Sequence, residues 1–261
     1  MGAINVLILR AAGINCEEET AFAWARAGAV AETIHVNRLI ESPAMLERFH
    51  IVTVPGGFSY GDDIASGKIL AVRLSLHLGD ALRAFVQRGG LLLGICNGFQ
   101  VLVKAGLLPG PGLERRVTIT HNDSGRYEDR WVWLEATSDH CAILRRGQRW
   151  MVPVAHGEGK VVTDGEETRS RLVEGGHIAL RYCDAQGRPG PFPINPNGSE
   201  MDIAGLTDAT GRILGLMPHP ERAIEATHTP DWTRQRPADG PGMALFRNAI
   251  EFVENHVTAG G

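Results

Sequence analysis

The chain has 261 residues, 43% of them hydrophobic and 21% charged, which is enough for one sizeable core of ordinary globular composition. Its 26 Lys and Arg against 30 Asp and Glu leave a formal charge of −4, so it offers no general field to nucleic acid or an anionic membrane surface. No apolar run approaches the length of a bilayer span, and residues 1–6 read straight into a strand rather than a signal peptide, so a cytoplasmic location is expected.

Short apolar runs at residues 4–9, 31–35, 51–54 and 91–95 alternate with amphipathic stretches at 17–27 and 69–87. Continuous hydrophobic strands separated by helices imply an α/β fold. Its central sheet is mostly parallel, helices cover both faces, and ligands gather at the carboxyl ends of the strands. After Gly110-Pro111-Gly112 the pattern shifts to shorter strand-like pieces, such as 131–135 and 178–182, which read as an antiparallel extension of that sheet. A last strand at 213–217 runs into Pro218-His219-Pro220-Glu221, and a helix near 243–256 follows. Between them, residues 227–241 carry Pro230, Trp232, Arg234, Arg236, Pro237, Gly240 and Pro241, a loop insertion by composition, either partner-facing or mobile. One domain spanning 1–261 is expected.

Cys16, Cys96, Cys141 and Cys183 are widely separated, with no CxxC pair, which argues against a disulfide scaffold or a zinc knuckle and for one reactive thiol among bystanders. Cys96 is the candidate. It lies in Gly94-Ile95-Cys96-Asn97-Gly98, after a strand-like run and before a helix-like stretch at 99–105. Small residues two before and two after it suit a strained strand-to-helix turn that would push the thiol toward solvent. The adjoining helix N-terminus supplies partial positive charge and free N–H donors. A buried cysteine on a glycine-rich turn is the competing reading.

A cysteine nucleophile needs a base and a group that orients the base. Pro218 and Pro220 push the backbone around His219 and Glu221 into extended geometry, so the two side chains are expected to project together from a strand end. A rigid surface turn with an incidental ion pair is the plainer alternative. Pro55-Gly56-Gly57-Phe58-Ser59-Tyr60-Gly61-Asp62-Asp63 follows another strand, and the Gly57 N–H could complete an oxyanion hole with that of Asn97. A phosphate loop is excluded here. Five residues separate Gly61 from Gly67 where the motif needs four, Ile69 replaces its Ser or Thr, and Asp62-Asp63 would repel phosphate. His156-Gly157-Glu158 echoes a zinc deaminase, but no Pro-Cys-x-x-Cys follows, so metal catalysis is disfavoured.

With these residues assembled, the chain resembles the class I (triad) glutamine amidotransferases, and more closely the glutaminase subunits of phosphoribosylformylglycinamidine synthase in purine biosynthesis. Residues 55–63, Gly94-Ile95-Cys96-Asn97-Gly98-Phe99-Gln100, Val154-Ala155-His156-Gly157-Glu158-Gly159 and Met217-Pro218-His219-Pro220-Glu221-Arg222 carry the likeness in that family's order, and 197–199 with 202–205 extend it. The resemblance implies a flavodoxin-like domain in which Cys96 attacks the side-chain amide of glutamine. His219 would shuttle the proton to departing ammonia, and Glu221 would orient His219. It further implies that Gly57 and Asn97 are the oxyanion donors and that Gln100, His156 and Gly157 help recognise glutamine. Ammonia would pass to a synthetase subunit that uses ATP and Mg to convert formylglycinamide ribonucleotide to the amidine, with a small accessory subunit alongside. No cofactor or metal is expected in this chain. Two other readings stay open: an amidotransferase serving another acceptor, and a non-enzymatic thiol sensor on a flavodoxin-like fold, which leaves His219-Pro220-Glu221 without a task.

Overall fold

The computed structural model describes residues 2–235 and 238–257. In chain order its first half contains β1 (Asn5–Arg10), α1 (Glu17–Arg26), β2 (Val30–His35), α2 (Val36–Glu41), β3 (Ile51–Val54), α3 (Lys68–His77), α4 (Gly79–Gln87), β4 (Leu91–Ile95) and α5 (Asn97–Lys104). The second half contains β5 (Val117–His121), β6 (Glu128–Ala136), β7 (Arg149–His156), β8 (Glu158–Thr163), α6 (Glu166–Glu174), β9 (Ile178–Cys183), β10 (Ile203–Thr207), β11 (Ile213–Leu216), α7 (Trp232–Gln235) and α8 (Met243–Val257).

Nine strands form one sheet in the order β2-β1-β3-β4-β11-β10-β9-β6-β7. The first five run parallel, in the flavodoxin-like order, and each later pairing is antiparallel. β3, β4 and β11 are buried at every position, because helices cover both faces. Trp24 of α1 fixes one helical layer. Its indole donates to Thr53 Oγ1 at 3.0 Å and meets Phe246 of α8 edge-on, with ring centroids 4.9 Å apart. β5 and β8 pair separately as a two-stranded ribbon.

The stretch at 69–87 is two helices rather than one, because Leu78 leaves helical geometry at φ −128° and the chain restarts at Gly79. Residues 227–241 are less irregular than their composition suggests. They hold the end of a 3₁₀ turn (Ala226–His228) and α7, while Arg236 and Pro237 lie outside the described residues. The far end of this excursion is pinned, with Gly240 N–H donating to Ile224 O and Gly242 N–H to Ala223 O, each at 2.8 Å. Among the described residues no helix is long and apolar enough to cross a membrane.

One consequence of the topology governs the site. β1, β3, β4 and β11 are parallel, so the segments that follow them, carrying Cys16, Gly56, Cys96 and His219, emerge at one end of the sheet. Four alternations of direction from β11 to β7 bring His156, the last residue of β7, to that same end. His219 N–H donates to Pro153 O of β7 at 2.8 Å and ties the two together.

Candidate active site

Cys96 sits between β4 and α5 at φ 52° and ψ −108°, a conformation that costs a non-glycine residue about 1–3 kcal/mol and persists only when its surroundings enforce it. The enforcement is visible. Its N–H donates to Leu216 O of β11 at 2.8 Å, and its carbonyl accepts Gln100 N–H at 3.1 Å as the first bond of α5. A Cβ on Gly98 would lie 1.9 Å from Val54 O, so α5 can approach β3 this closely only with glycine there. The elbow expected from the sequence is therefore present. Its expected exposure is not: Cys96 is only 6% exposed, because β7 covers it and Ala155 O lies 3.7 Å from its sulfur.

His219 and Glu221 leave the end of β11 with side chains facing each other, and Nδ1 of His219 lies 2.6 Å from Oε1 of Glu221 with both side chains buried. Burial alone would pull His219 down, but the Glu221 carboxylate, reinforced by Cys96 and by the Cys16 sulfur, raises it well above the ordinary histidine range. Its Nε2 is buried with no hydrogen-bond partner among the described residues. Gly56 locates the meeting point. A Cβ there would come to 2.9 Å from Cε1 of His219, 3.1 Å from the Cys16 sulfur and 3.5 Å from Cβ of Cys96.

The other expected residues take definite places. Asn97 opens α5 and holds the 55–63 loop: its Oδ1 accepts Ser59 N–H at 3.2 Å, and its Nδ2 donates to Asp62 and Gln100. Gly57 lies opposite Ile14, with Phe58 N–H donating to Gly13 O at 2.8 Å, so the glycine loop leans on the segment after β1. Gln100 has both amide atoms engaged, accepting from Asn97 and donating to Glu158 O at 2.5 Å, which makes it a strut between α5 and β8. Asn122 Nδ2 donates to two carbonyls, of Arg126 and His156, so its Oδ1 faces His156 and accepts the Nδ1 proton at 3.1 Å. His156 Nε2 is then a bare acceptor, buried without a partner among the described residues. Beside Gly157 stands Tyr127, half exposed.

Residues 3–253 match the model of the CobB/CobQ-like glutamine amidotransferase domain. The chain belongs to this amidotransferase family. It is 42% identical to the phosphoribosylformylglycinamidine synthase subunit PurQ of Dehalococcoides mccartyi, over 97% of this chain and 99% of that one. It is 41% identical to the PurQ subunit of Methanococcus maripaludis, over 95% and 97%. Among solved structures, a chain of PurLQS from Thermotoga maritima superposes with a TM-score of 0.72 at 25% identity, over 97% of this chain and all of that one. Another glutamine amidotransferase from Thermotoga maritima shares the fold, with a TM-score of 0.55 at 17% identity, again over 97% of this chain and all of that one.

In this amidotransferase, Cys16, His219 and Glu221 each offer a ligand atom, all within 4.8 Å of one another. The set is nonetheless poorly suited to a metal. The Cys16 sulfur already accepts from a cation, Nη2 of Arg222, at 3.1 Å, and that guanidinium would repel a second cation at the same atom. Cys16 is also the residue that motif reading passed over as a bystander. No local motif marks it, and the available signal was its position just past the carboxyl end of a parallel strand.

His156 gives the domain a pH dependence. Burial, with the neighbouring His219 adding to it, holds His156 down to about 4, below its ordinary 6.5. As pH falls from 6.5 toward 4 the unfolded chain takes up a proton that the folded site refuses, which costs the fold about 3 kcal/mol, a contribution absent above pH 6.5. Denaturant melts of wild type and His156→Gln from pH 8 to pH 4.5 are expected to diverge, with the variant losing less stability on the acid side. Parallel curves would mean that His156 takes up its proton in the fold.

Proposed function

We propose that this chain is the glutaminase subunit of phosphoribosylformylglycinamidine synthase. It hydrolyses glutamine through a cysteinyl thioester and passes ammonia to an ATP-dependent synthetase subunit, in the cytoplasm. The observation that carries the catalytic reading is the meeting of Cys96 with His219 over Gly56, since they come from opposite halves of the chain. In this reading Cys96 attacks the amide carbon and His219 carries the proton from sulfur to the leaving ammonia. Glu221, bonded to Nδ1, orients the ring and stabilises its protonated form, leaving Nε2 for the reacting atoms. The backbone N–H groups of Gly57 and Asn97 receive the oxyanion, and the strained elbow presents the second of these at the start of α5. His156 Nε2, neutral and unpartnered, accepts an N–H of bound glutamine beside Gly157, while Gln100 keeps that turn in place.

The partner reading rests on the names of the full-length relatives and of the PurLQS neighbour. It is also supported by exposed apolar side chains near the site, Phe58, Ile64 and Tyr127. ATP and Mg belong to the synthetase, and a small accessory subunit completes the assembly. The test is capture of the chain by a glutamine-analogue electrophile, followed by glutamate release with and without the synthetase, ATP and formylglycinamide ribonucleotide. Capture at Cys96 that excess glutamine blocks, with hydrolysis stimulated by the complete complex, is expected. Labelling indifferent to glutamine would favour a thiol sensor, and stimulation only by a different synthetase and acceptor would reassign the substrate.

A further inference from the structure

Cys16 is only 1% exposed and stands at the N-terminus of α1, directly after the loop that leaves β1. Its backbone is fixed on both sides. Its N–H donates to Gly56 O at 3.3 Å, and its carbonyl accepts Thr20 N–H at 3.1 Å and Thr20 Oγ1 at 2.6 Å. The sulfur is fixed as well. It accepts Nη2 of Arg222 at 3.1 Å and its S–H reaches Asn15 Oδ1 at 3.3 Å, while Nε of Arg222 donates to Glu19 Oε1 at 2.8 Å, one turn further along α1. Arg222 follows Glu221 in the turn that carries His219. The contacts therefore close a ring: the His219 turn grips the start of α1 through Arg222, and the start of α1 returns a sulfur to the edge of His219.

The carboxylate of Glu221 holds His219 at Nδ1, and one bond does not by itself fix the ring against rotation, so packing must do so. Among the described residues Nε2 has no hydrogen-bond partner, and Cε1 lies close against Gly56, where a Cβ would come to 2.9 Å from it. The Cys16 sulfur packs at the same place, 3.1 Å from that Cβ position. A side-chain atom of that size restricts the rotation, and its bonds to Arg222 and Asn15 hold it in place. We propose that Cys16, clamped by Arg222 and Glu19, is a positioning residue that keeps the imidazole of His219 aimed at Cys96. This rests on the glutaminase reading above.

The charged and titratable groups around His219 are Cys96, Glu221, Cys16 and Arg222, with Glu19 behind Arg222 and with His156 and Tyr127 across the site. The experiment uses the full chain with its synthetase and compares wild type, Cys16→Ala, Cys16→Ser and Glu19→Gln. In Cys16→Ala, kcat for glutamine hydrolysis is expected to fall about tenfold with KM nearly unchanged, the scale of a small misplacement of a reacting group. The pH profile of Cys96 alkylation is expected to move with it. Cys16→Ser, which restores an acceptor for Arg222, should recover most of the rate. Glu19→Gln, which loosens the clamp without touching the site, should give a smaller loss of the same kind. Wild-type kcat and an unmoved alkylation profile in Cys16→Ala would overturn the proposal. So would equal impairment of the Ala and Ser variants in step with lost thermal stability. If wild type itself showed no glutamine-dependent activity in the complex, the glutaminase reading would fall first; an active wild type with an indifferent Cys16→Ala removes only the role of Cys16.

Discussion

Cys96→Ala, assembled with its synthetase, is expected to lose glutamine-dependent synthesis by about 10⁴-fold or more while keeping ammonia-dependent synthesis close to wild type. The substitution removes one buried sulfur and leaves the features that shape the elbow: the bond from residue 96 to Leu216, the close approach of Gly98 to Val54 O, and the first turn of α5. Ammonia bypasses the missing nucleophile because the synthetase needs only the nitrogen. Cys16 places a second thiol beside the same glycine, 3.1 Å from where a Gly56 Cβ would stand, so the labelled residue has to be identified. Mass spectrometry of the electrophile-labelled chain decides between them. Persistent glutamine-dependent turnover in Cys96→Ala, with label on Cys16, would transfer the nucleophile to that residue.

Glu221→Gln is expected to lower kcat with glutamine by about 10³–10⁴-fold and to leave KM and the ammonia-dependent reaction nearly untouched. The Gln side chain matches the carboxylate in size but not in charge. With a separation of 2.6 Å and both groups buried, no solvent substitutes for what is lost. The same variant tests the charge on His219. A histidine raised above its unfolded value stabilises the fold fully below about pH 6.5, and the contribution disappears as pH rises through the folded value. Glu221 is the main opponent of burial, so wild type should lose stability on the alkaline side in a way that Glu221→Gln does not. Equal alkaline slopes in the two proteins, with wild-type kcat in the variant, would remove Glu221 from the reading.

Much of the architecture was legible because it depends on local patterns. Continuous apolar runs such as 91–95 become fully buried strands, and the break in character after Gly110-Pro111-Gly112 becomes the antiparallel half of the sheet. Two segments misled. The amphipathic stretch 69–87 hides a break at Leu78, and the segment 227–241 holds a short helix, Trp232–Gln235, that its composition does not announce. Cys96 and the His219-Glu221 pair were legible for a different reason. Each lies in a short run whose backbone demands are written in its own glycines and prolines.

Burial and company were not legible in this way. The elbow specifies a strained cysteine, but whether the thiol meets solvent depends on β7, about sixty residues later in the chain, crossing above it. Gln100 looked like a substrate contact and has its amide spent on Asn97 and Glu158. Cys16 looked like a bystander and lies against His219 and Glu221. The order of residues, taken alone, specifies the kind of chemistry and the side chains equipped for it, because glycine and proline act on their immediate neighbours. Which of those side chains share one dry pocket is settled by packing in three dimensions, because parallel strands far apart in the chain deliver their ends to the same edge of a sheet.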